Sequence, residues 1–190
     1  MKTIKSYTRH MASVKLMTAE ELLRDQPPHK RSELIGGRLV VREPAGARHG
    51  AVANRLAYRL TAHVDVRRLG RVYAAETGFK LESDPDTVRA PDVAFIAKER
   101  LPDTEPAGFP DYAPDLVVEV LGSDDRPGQV LAKIGDWLNA GVRLVWVVDP
   151  ERRAARVYRP DGGVSLLDAG AALSGEDLLP GFTLPLEELW

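Results

Sequence analysis

The chain has 190 residues, with 26 Lys and Arg, 28 Asp and Glu, 4 His and no Cys, which suits one domain with a buried core. The lack of cysteine excludes disulfides, thiol catalysis and cysteine-ligated zinc. No apolar run reaches the roughly 18 residues that a membrane helix needs, and the basic start lacks the apolar stretch of a secretory signal, so we expect a cytoplasmic protein.

The net charge of −2 conceals an asymmetry along the chain. Residues 1–80 hold 16 Lys and Arg against 7 Asp and Glu, whereas residues 81–190 hold 10 against 21. One half could therefore face a polyanion while the other collects carboxylates. The alternative is that these charges simply solvate both halves of the molecule.

The first part of the chain predicts a short helix, a hairpin and a long amphipathic helix. A capping box that begins at Thr18 predicts a helix over 19–24. The Gly36-Gly37 pair predicts a tight turn between two short strands. Apolar residues recur every four positions over 47–66, which is typical of a helix that packs against a core.

The rest of the chain predicts mainly strands, with one further helix. The predicted strands cover the segments 71–81, 88–97, 115–121, 143–149, 154–159 and 163–168. Pro91 indicates an edge position or an irregular start for the second of these strands. A periodic run over 128–140 predicts a helix that ends at Gly141, and we expect loop and short helix in the tail 172–190.

Together these elements predict a single α/β domain over residues 16–190, with a mixed β-sheet flanked by helices. The long helix precedes the sheet in sequence, and the second helix connects two of its central strands. We interpret residues 1–15 as a disordered lead-in or a segment added for expression, and we exclude them from the fold.

Two carboxylates occur in apolar strands, where packing alone would not place them. Glu119 lies within the segment DLVVEVL, and Asp92 opens the apolar segment DVAFIA. A buried carboxylate should be paired, neutralised or bound to a metal. Asp92 could instead be a turn or cap residue, and Glu119 could instead pair with an arginine. Because cysteine is absent and histidine is sparse, a metal site here would favour a hard cation with oxygen ligands.

Six stretches of the chain, in order, resemble the Uma-two family of restriction-type endonucleases, within the PD-(D/E)XK nuclease superfamily. They are SELIGGRLV at 32–40, ARHG at 47–50, VRAPDVAFI at 88–96, PDLVVEVL at 114–121, KIGDWLNAGVRLVWVVDP at 133–150 and RVYRPDG at 156–162. The resemblance covers roughly residues 18–185. It implies a restriction-endonuclease-like core and cleavage of DNA phosphodiester bonds that depends on Mg²⁺ or Mn²⁺.

The resemblance also implies roles for individual residues. Asp92 and Glu119 would hold the cation, with the backbone carbonyl of Val120 as a third ligand. The E-x-K lysine of the superfamily is missing, because the third position counted from Glu119 is Leu121. Lys133, on the following helix, is the substitute that the family resemblance implies. The alternative is that Lys133 is an ordinary solvated lysine.

Two further residues supplement this predicted site. Glu33 matches an acidic position of the family near the N-terminus and could be an additional ligand for the metal or for water, although a glutamate in a hairpin is usually exposed. His49 precedes Val52 and Ala53 by three and four residues, so it should lie on the inward side of the long helix. It could contact a phosphate, or it could be a core or helix-start histidine.

A stretch of arginines is the candidate DNA-binding surface. Arg48, Arg55 and Arg59 lie on or near the polar side of the long helix, and further arginines follow it. Such a surface would bind DNA through its phosphates and would be sensitive to salt. The alternative is an ordinary solvated helix face.

The resemblance leaves two questions open. We expect a homodimer, because cutting two strands with one site per chain needs two subunits, and apolar groups near Trp137 or Trp190 are candidates for its interface. The alternative function is a catalytically inactive module that binds nucleic acid or assembles with other proteins while it retains the nuclease fold. The missing E-x-K lysine and the near-neutral charge favour that alternative.

Overall fold

The computed structural model describes residues 15–28, 30–75 and 77–190. The lead-in expected at residues 1–15 lies, apart from Lys15, outside the described residues. Three α-helices cover α1 (Ala19–Arg24), α2 (Ala47–Arg67) and α3 (Pro127–Asn139) within the described chain. The described strands are β1 (Arg31–Ile35), β2 (Arg38–Arg42), β3 (Gly70–Ala74), β4 (Phe79–Glu82), β5 (Thr87–Arg89), β6 (Val93–Ala97), β7 (Leu116–Val120), β8 (Leu144–Asp149), β9 (Ala154–Tyr158), β10 (Val164–Leu167), β11 (Ala172–Ser174) and β12 (Thr183–Pro185).

A six-stranded mixed sheet forms the centre of the molecule, in the order β10-β9-β8-β7-β6-β3. Strands β7 and β8 pair in parallel, whereas the other neighbours pair antiparallel. Helix α3 is the crossover that a parallel pair requires. The predicted α/β fold, a mixed sheet flanked by helices, is therefore confirmed.

Helices cover both faces of the central sheet. The apolar face of α2 packs on one side, together with the chain that follows β10. On the other side, Ile134 and Trp137 of α3 pack against Val117 and Val145 of the two parallel strands. Because successive strand residues point to opposite faces, β7 and β8 are buried along their whole length. None of the described helices has the length and apolarity that crossing a membrane requires.

A four-stranded sheet, in the order β2-β1-β5-β4, lies beside the central one. Its hairpin turns at Gly36 and Gly37, which have φ angles of 54° and 72°. This is the left-handed conformation that glycine adopts without steric cost, so the predicted turn is confirmed. The chain leaves this sheet after β5 and enters the central sheet at β6, and Asp92 directly precedes β6.

Two predicted strands are wrong as single elements, because each is divided between the two sheets. The segment 71–81 contains β3 of the central sheet and β4 of the second sheet, and 88–97 contains most of β5 and all of β6. Strand β6 lies between β7 and β3, so the edge position that Pro91 indicated is wrong, while the irregular start is present. Apolar residues lie on both sides of each passage, so each segment resembles one strand, although Glu-Thr-Gly at 76–78 and Pro-Asp at 91–92 interrupt the pattern there.

The tail and one tryptophan also differ from expectation. Strands β11 and β12 pair in a two-stranded sheet, so the tail is not only loop and short helix. A short 3₁₀ helix follows at Leu186–Leu189. Trp137 is 0% exposed and lies edge-on to Phe79, so it is not an exposed apolar group for an interface. Trp190 is partly buried against the core.

Candidate active site

Asp92 and Glu119 lie across from each other where β6 begins and β7 ends. Val93 pairs with Val118 in the antiparallel register, and the N–H of Asp92 donates to the carbonyl of Val118 at 3.1 Å. Residues opposed in this way have Cβ atoms about 5 Å apart. Asp92 is 3% exposed and Glu119 is 9% exposed, and both line one cavity of about 270 Å³. The two carboxylates that sequence reasoning singled out therefore share a cavity.

Three groups hold the Asp92 carboxylate. The N–H of Val120 donates to Oδ2 at 2.7 Å, and Nη2 of Arg31 donates to Oδ1 at 2.9 Å. Nε2 of His49, at the start of α2, lies 3.3 Å from Oδ2. Burial opposes ionisation, but the hydrogen bond to His49, the charges of His49 and Arg31 and the Val120 N–H outweigh it and hold the pKa of Asp92 below its ordinary value.

The Glu119 carboxylate accepts hydrogen bonds from two side chains of α3. Nζ of Lys133 donates to Oε2 at 2.8 Å, and Nε1 of Trp137 donates to Oε1 at 2.8 Å. Lys133 and Trp137 are four residues apart, so they share one face of the helix and reach the strand together. Burial raises the pKa of Glu119 to about 7; the charge of Lys133 opposes this rise and the Asp92 carboxylate adds to it.

Lys133 is largely buried, and its ammonium contacts three acceptors. Besides Glu119, its ammonium lies 3.0 Å from Oε1 of Glu33 and donates to the carbonyl of Ala90 at 2.9 Å. Two of these contacts are hydrogen bonds and the third is an ion pair, so acceptors surround the ammonium. Burial alone would lower the pKa of Lys133, but the carboxylates of Glu119 and Glu33 raise it, so the side chain is charged. Lys133 is not the solvated lysine of the alternative interpretation.

Glu33 is buried on β1 and contacts cations with both oxygens. Oε2 accepts from Arg89 at 2.9 Å, while Oε1 accepts from the N–H of Ala90 at 3.0 Å and contacts Lys133. Burial alone would raise its pKa, but the charges of Lys133 and Arg89 lower it to about 2. Arg89 also donates to Asp136 at 2.8 Å. Glu33 is therefore buried beside Lys133, and it is not the exposed hairpin glutamate of the alternative interpretation.

The structure does not bring the predicted DNA-binding arginines into this cavity. Arg48 and Arg55 line a separate groove with Arg153 and Trp190. Arg59 forms an ion pair with Glu188. Arg48 directly precedes His49 in the sequence, but the two side chains line different cavities.

Sequence reasoning missed Arg31 and Arg89 as members of the site. Arg31 lies two residues before Glu33 on β1, and residues at that spacing share a face of a strand. That spacing could have identified Arg31 once Glu33 was a candidate. No comparable local signal joins Arg89 to Glu33, because the contact depends on how two strands pair.

The oxygen donors of this cavity could hold a small hard cation. Asp92 and Glu119 supply carboxylates, and Val120, whose carbonyl is the third expected ligand, lines the same cavity. Within the described residues, no group of three or more His, Asp or Glu side chains is arranged to hold a metal. Two carboxylates suit Mg²⁺, which typically binds one or two of them and retains several waters.

Comparison with other proteins places the chain in a family. A comparison with curated proteins returns no match. Among solved structures, it is similar to a protein from Anabaena variabilis described as a putative nuclease belonging to DUF820, with a TM-score of 0.79 and 24% sequence identity over 91% of this chain and 97% of that one. This likeness shows the fold. The family model Uma2, described as "Putative restriction endonuclease", matches residues 19–187. The chain therefore belongs to the Uma2 family, as its sequence motifs predicted.

Proposed function

We propose that this protein is a metal-dependent endonuclease that hydrolyses DNA phosphodiester bonds with Mg²⁺ or Mn²⁺. The family description and the description of the Anabaena protein both support nuclease activity. The observation that carries the proposal is the convergence of Asp92, Glu119 and Lys133 in one cavity, with Lys133 in contact with Glu119. Carboxylate oxygens beside a buried ammonium are the residue types that phosphodiester cleavage requires.

In this proposal Asp92, Glu119 and the carbonyl of Val120 hold the cation. When bound, the cation stabilises negative charge on the scissile phosphate and makes water more acidic. The N–H of Val120 fixes the orientation of Asp92, and the indole N–H of Trp137 fixes that of Glu119. Both carboxylates are therefore held in place before any ligand arrives, which reduces the reorganisation that binding costs.

Lys133 supplies a fixed positive charge beside Glu119. Its contacts with Glu33 and Ala90, neither of which lines the cavity, hold the ammonium in place. A preorganised positive charge close to the reacting group stabilises developing negative charge there. His49 contacts Asp92 and lines the cavity, so it is placed to contact a phosphate or water there.

A plasmid-nicking assay with Mn²⁺ or Mg²⁺ tests the proposal. We expect Asp92→Asn and Glu119→Gln each to lower the cleavage rate by about 10²–10³-fold, a range typical of losing one group that acts on the transition state. The matched control is Asp149→Asn. Asp149 is a buried carboxylate at the end of β8 that binds Arg152, and it does not line the cavity.

The same assay distinguishes the alternative function. A wild-type protein that binds DNA but cuts no DNA form with any divalent metal would be the inactive binding module. Variants of Asp92 and Glu119 that cut as fast as the wild type would instead show that nuclease activity resides elsewhere. Titration calorimetry with Mn²⁺, on variants that are shown to be folded, distinguishes a variant that no longer binds the cation from one that no longer folds.

We further propose that the active form on duplex DNA is a homodimer. Each chain supplies one cavity of this kind, and one cavity cuts one strand at a time. Because Trp137 is buried, an interface must use other groups. Val164 and Leu166, which are exposed on the edge strand β10, are apolar groups that remain accessible.

A further inference from the structure

Arg31 lies at a junction of three cavities. Its side chain lines the 270 Å³ cavity of the candidate active site. It also lines two adjoining cavities, of about 730 Å³ and about 50 Å³. The side chain is about one quarter exposed, so it has open space on more than one side. Arg31 can therefore change its position without displacing the packed core.

The other cations near the cavity have committed partners. The ammonium of Lys133 is surrounded by three acceptors, and Arg89 is buried between two carboxylates. Arg42 bridges to Asp125 at 3.1 Å. In the part of the chain that the structure describes, Arg31 makes one hydrogen bond, although a guanidinium has five donors. Arg42 also makes one hydrogen bond among the described residues, but its partner is Asp125. Arg31 is thus the cation that has free donors and contacts a candidate metal ligand.

Among the described residues, Arg31 is the hydrogen-bond partner of the Asp92 oxygen that neither Val120 nor His49 contacts. Oδ2 accepts the N–H of Val120 and lies beside His49, whereas Oδ1 contacts Arg31. A divalent cation on Oδ1 would lie within a few ångströms of the guanidinium, and two positive charges at that distance repel strongly in a buried site. A cation on Oδ1 and Arg31 in its present position therefore compete.

We propose that Arg31 exchanges partners: it pairs with Asp92 while the site lacks a cation, and it binds the scissile phosphate once a cation occupies Oδ1. The planar fork of a guanidinium matches two phosphate oxygens, so the released side chain has a suitable acceptor in the substrate. The exchange rests on the proposed function, because it requires both a divalent cation and a phosphodiester in the cavity.

Titration calorimetry with Mn²⁺ alone tests the first half of this exchange. We expect Arg31→Gln to bind Mn²⁺ about fivefold more tightly than the wild type, because the competing charge is gone. Arg31→Lys keeps a positive charge and should stay within about twofold of the wild type. The matched control is Arg42→Gln, which removes the same charge from the same cavity at a residue that pairs with Asp125 and not with Asp92. Its Mn²⁺ affinity should rise less than that of Arg31→Gln.

Cleavage at saturating Mn²⁺ tests the second half. We expect the kcat of Arg31→Gln to fall by about 10²-fold, since the phosphate loses its guanidinium. The variant thus binds the metal more tightly and reacts more slowly. A residue that merely supports the fold would show weaker metal binding together with slower cleavage, and thermal melting of each variant checks that the fold is retained.

Three results would overturn the exchange. Unchanged or weaker Mn²⁺ binding by Arg31→Gln, with normal binding by the wild type, would show that Arg31 does not compete with the cation. Unchanged kcat in that variant would show that it does not act on the phosphate; in both cases the proposed nuclease function would stand. A wild-type protein that neither binds Mn²⁺ nor cuts DNA would overturn both proposals together.

Discussion

Glu33 has the contacts of a positioning residue more than those of a metal ligand. It does not line the cavity that Asp92 and Glu119 share, and its oxygens contact Arg89, the N–H of Ala90 and Lys133. Charges around it hold its pKa at about 2, so it is ionised at every pH at which the protein would work. Its negative charge holds the ammonium of Lys133 beside Glu119.

We therefore expect Glu33→Gln to slow cleavage while it leaves metal binding nearly intact. Cleavage should fall by about 10–100-fold, as is typical when a group that supports a site is changed. The Mn²⁺ dissociation constant should change by less than about threefold, whereas Glu119→Gln, as the control, should weaken binding by more than about tenfold. Equal losses of Mn²⁺ affinity in the two variants would identify Glu33 as a ligand.

The residues of the site differ in how far sequence predicted them. Asp92 and Glu119 were visible because a carboxylate in an apolar strand has a free-energy cost that packing does not repay. Lys133 was identified through the family resemblance together with its place on the helix, one turn from Val130 and Trp137 and beside the face that packs on the sheet. Arg89 and the indole of Trp137 act through contacts between distant segments, which no local spacing reveals.

At the scale of elements, α1 shows how a short helix is held by another segment. It has six residues, fewer than an isolated helix needs to be stable in water. The predicted capping box is present between Thr18 and Glu21. In addition, the N–H of Ala19 donates to Oδ2 of the buried Asp86 at 2.7 Å, and Lys80 lies 3.1 Å from the other oxygen.

Asp86 should make the stability of the protein depend on pH. Burial alone would raise its pKa, but the N–H of Ala19 and the charge of Lys80 outweigh it and lower the pKa below the ordinary 3.8. A carboxylate with a lowered folded-state pKa stabilises the fold above its unfolded pKa and loses that contribution as the pH falls through the lowered value. We expect the free energy of unfolding of Asp86→Asn to be about 1–3 kcal/mol below that of the wild type at pH 7.

Urea unfolding at several pH values measures this difference. The gap between the wild type and Asp86→Asn should be complete at neutral pH and should narrow below about pH 4, where the wild-type carboxyl becomes protonated. Asp103→Asn, at an exposed loop position, is the control and should show no such gap. A gap that stays constant down to pH 2 would mean that the charge of Asp86 contributes nothing.

Strand periodicity predicted which residues are buried better than it predicted where strands end. The segments 71–81 and 88–97 have apolar residues on both sides of the point where the chain passes between two sheets. Alternation reports that a residue faces a core, but it does not report which sheet supplies that core. Helix limits were predicted more closely, because caps and glycine stops are local signals.

At the scale of the whole molecule, the arginines of the first half of the chain fall into two groups: some pair with acidic residues of the second half, and others line a groove. Many of the arginines of the first half are neutralised by acidic residues of the second half, as in the pairs of Arg59 with Glu188 and Arg71 with Glu105. Arg48 and Arg55, by contrast, line a groove together with Arg153. This groove is the part of the predicted basic stretch that we propose as a contact for DNA phosphates.

We expect the double variant Arg48→Gln, Arg55→Gln to bind DNA more weakly and with less dependence on salt. Each lost phosphate contact lowers the slope of log K against log salt by about 0.9, so the double variant should lose about 2. Fluorescence anisotropy of a labelled duplex in Ca²⁺ at several salt concentrations measures the slope. Arg67→Gln, about three turns further along α2, removes a charge from the same helix as a control. An unchanged slope would show that Arg48 and Arg55 are solvated and do not contact DNA phosphates.

Lys133 reaches Glu119 from α3, whereas a lysine in the E-x-K pattern would lie at position 121, directly after β7. A lysine at position 121 would lie on the same face of the strand as Glu119. Helix α3 covers that face, so a side chain from either position would lie in the space between the strand and the helix. The requirement on the sequence is therefore a charge at a point in space, and two different elements can supply it. Relocation of the lysine from strand to helix lets Leu121 pack as an apolar residue while the ammonium remains beside its carboxylate.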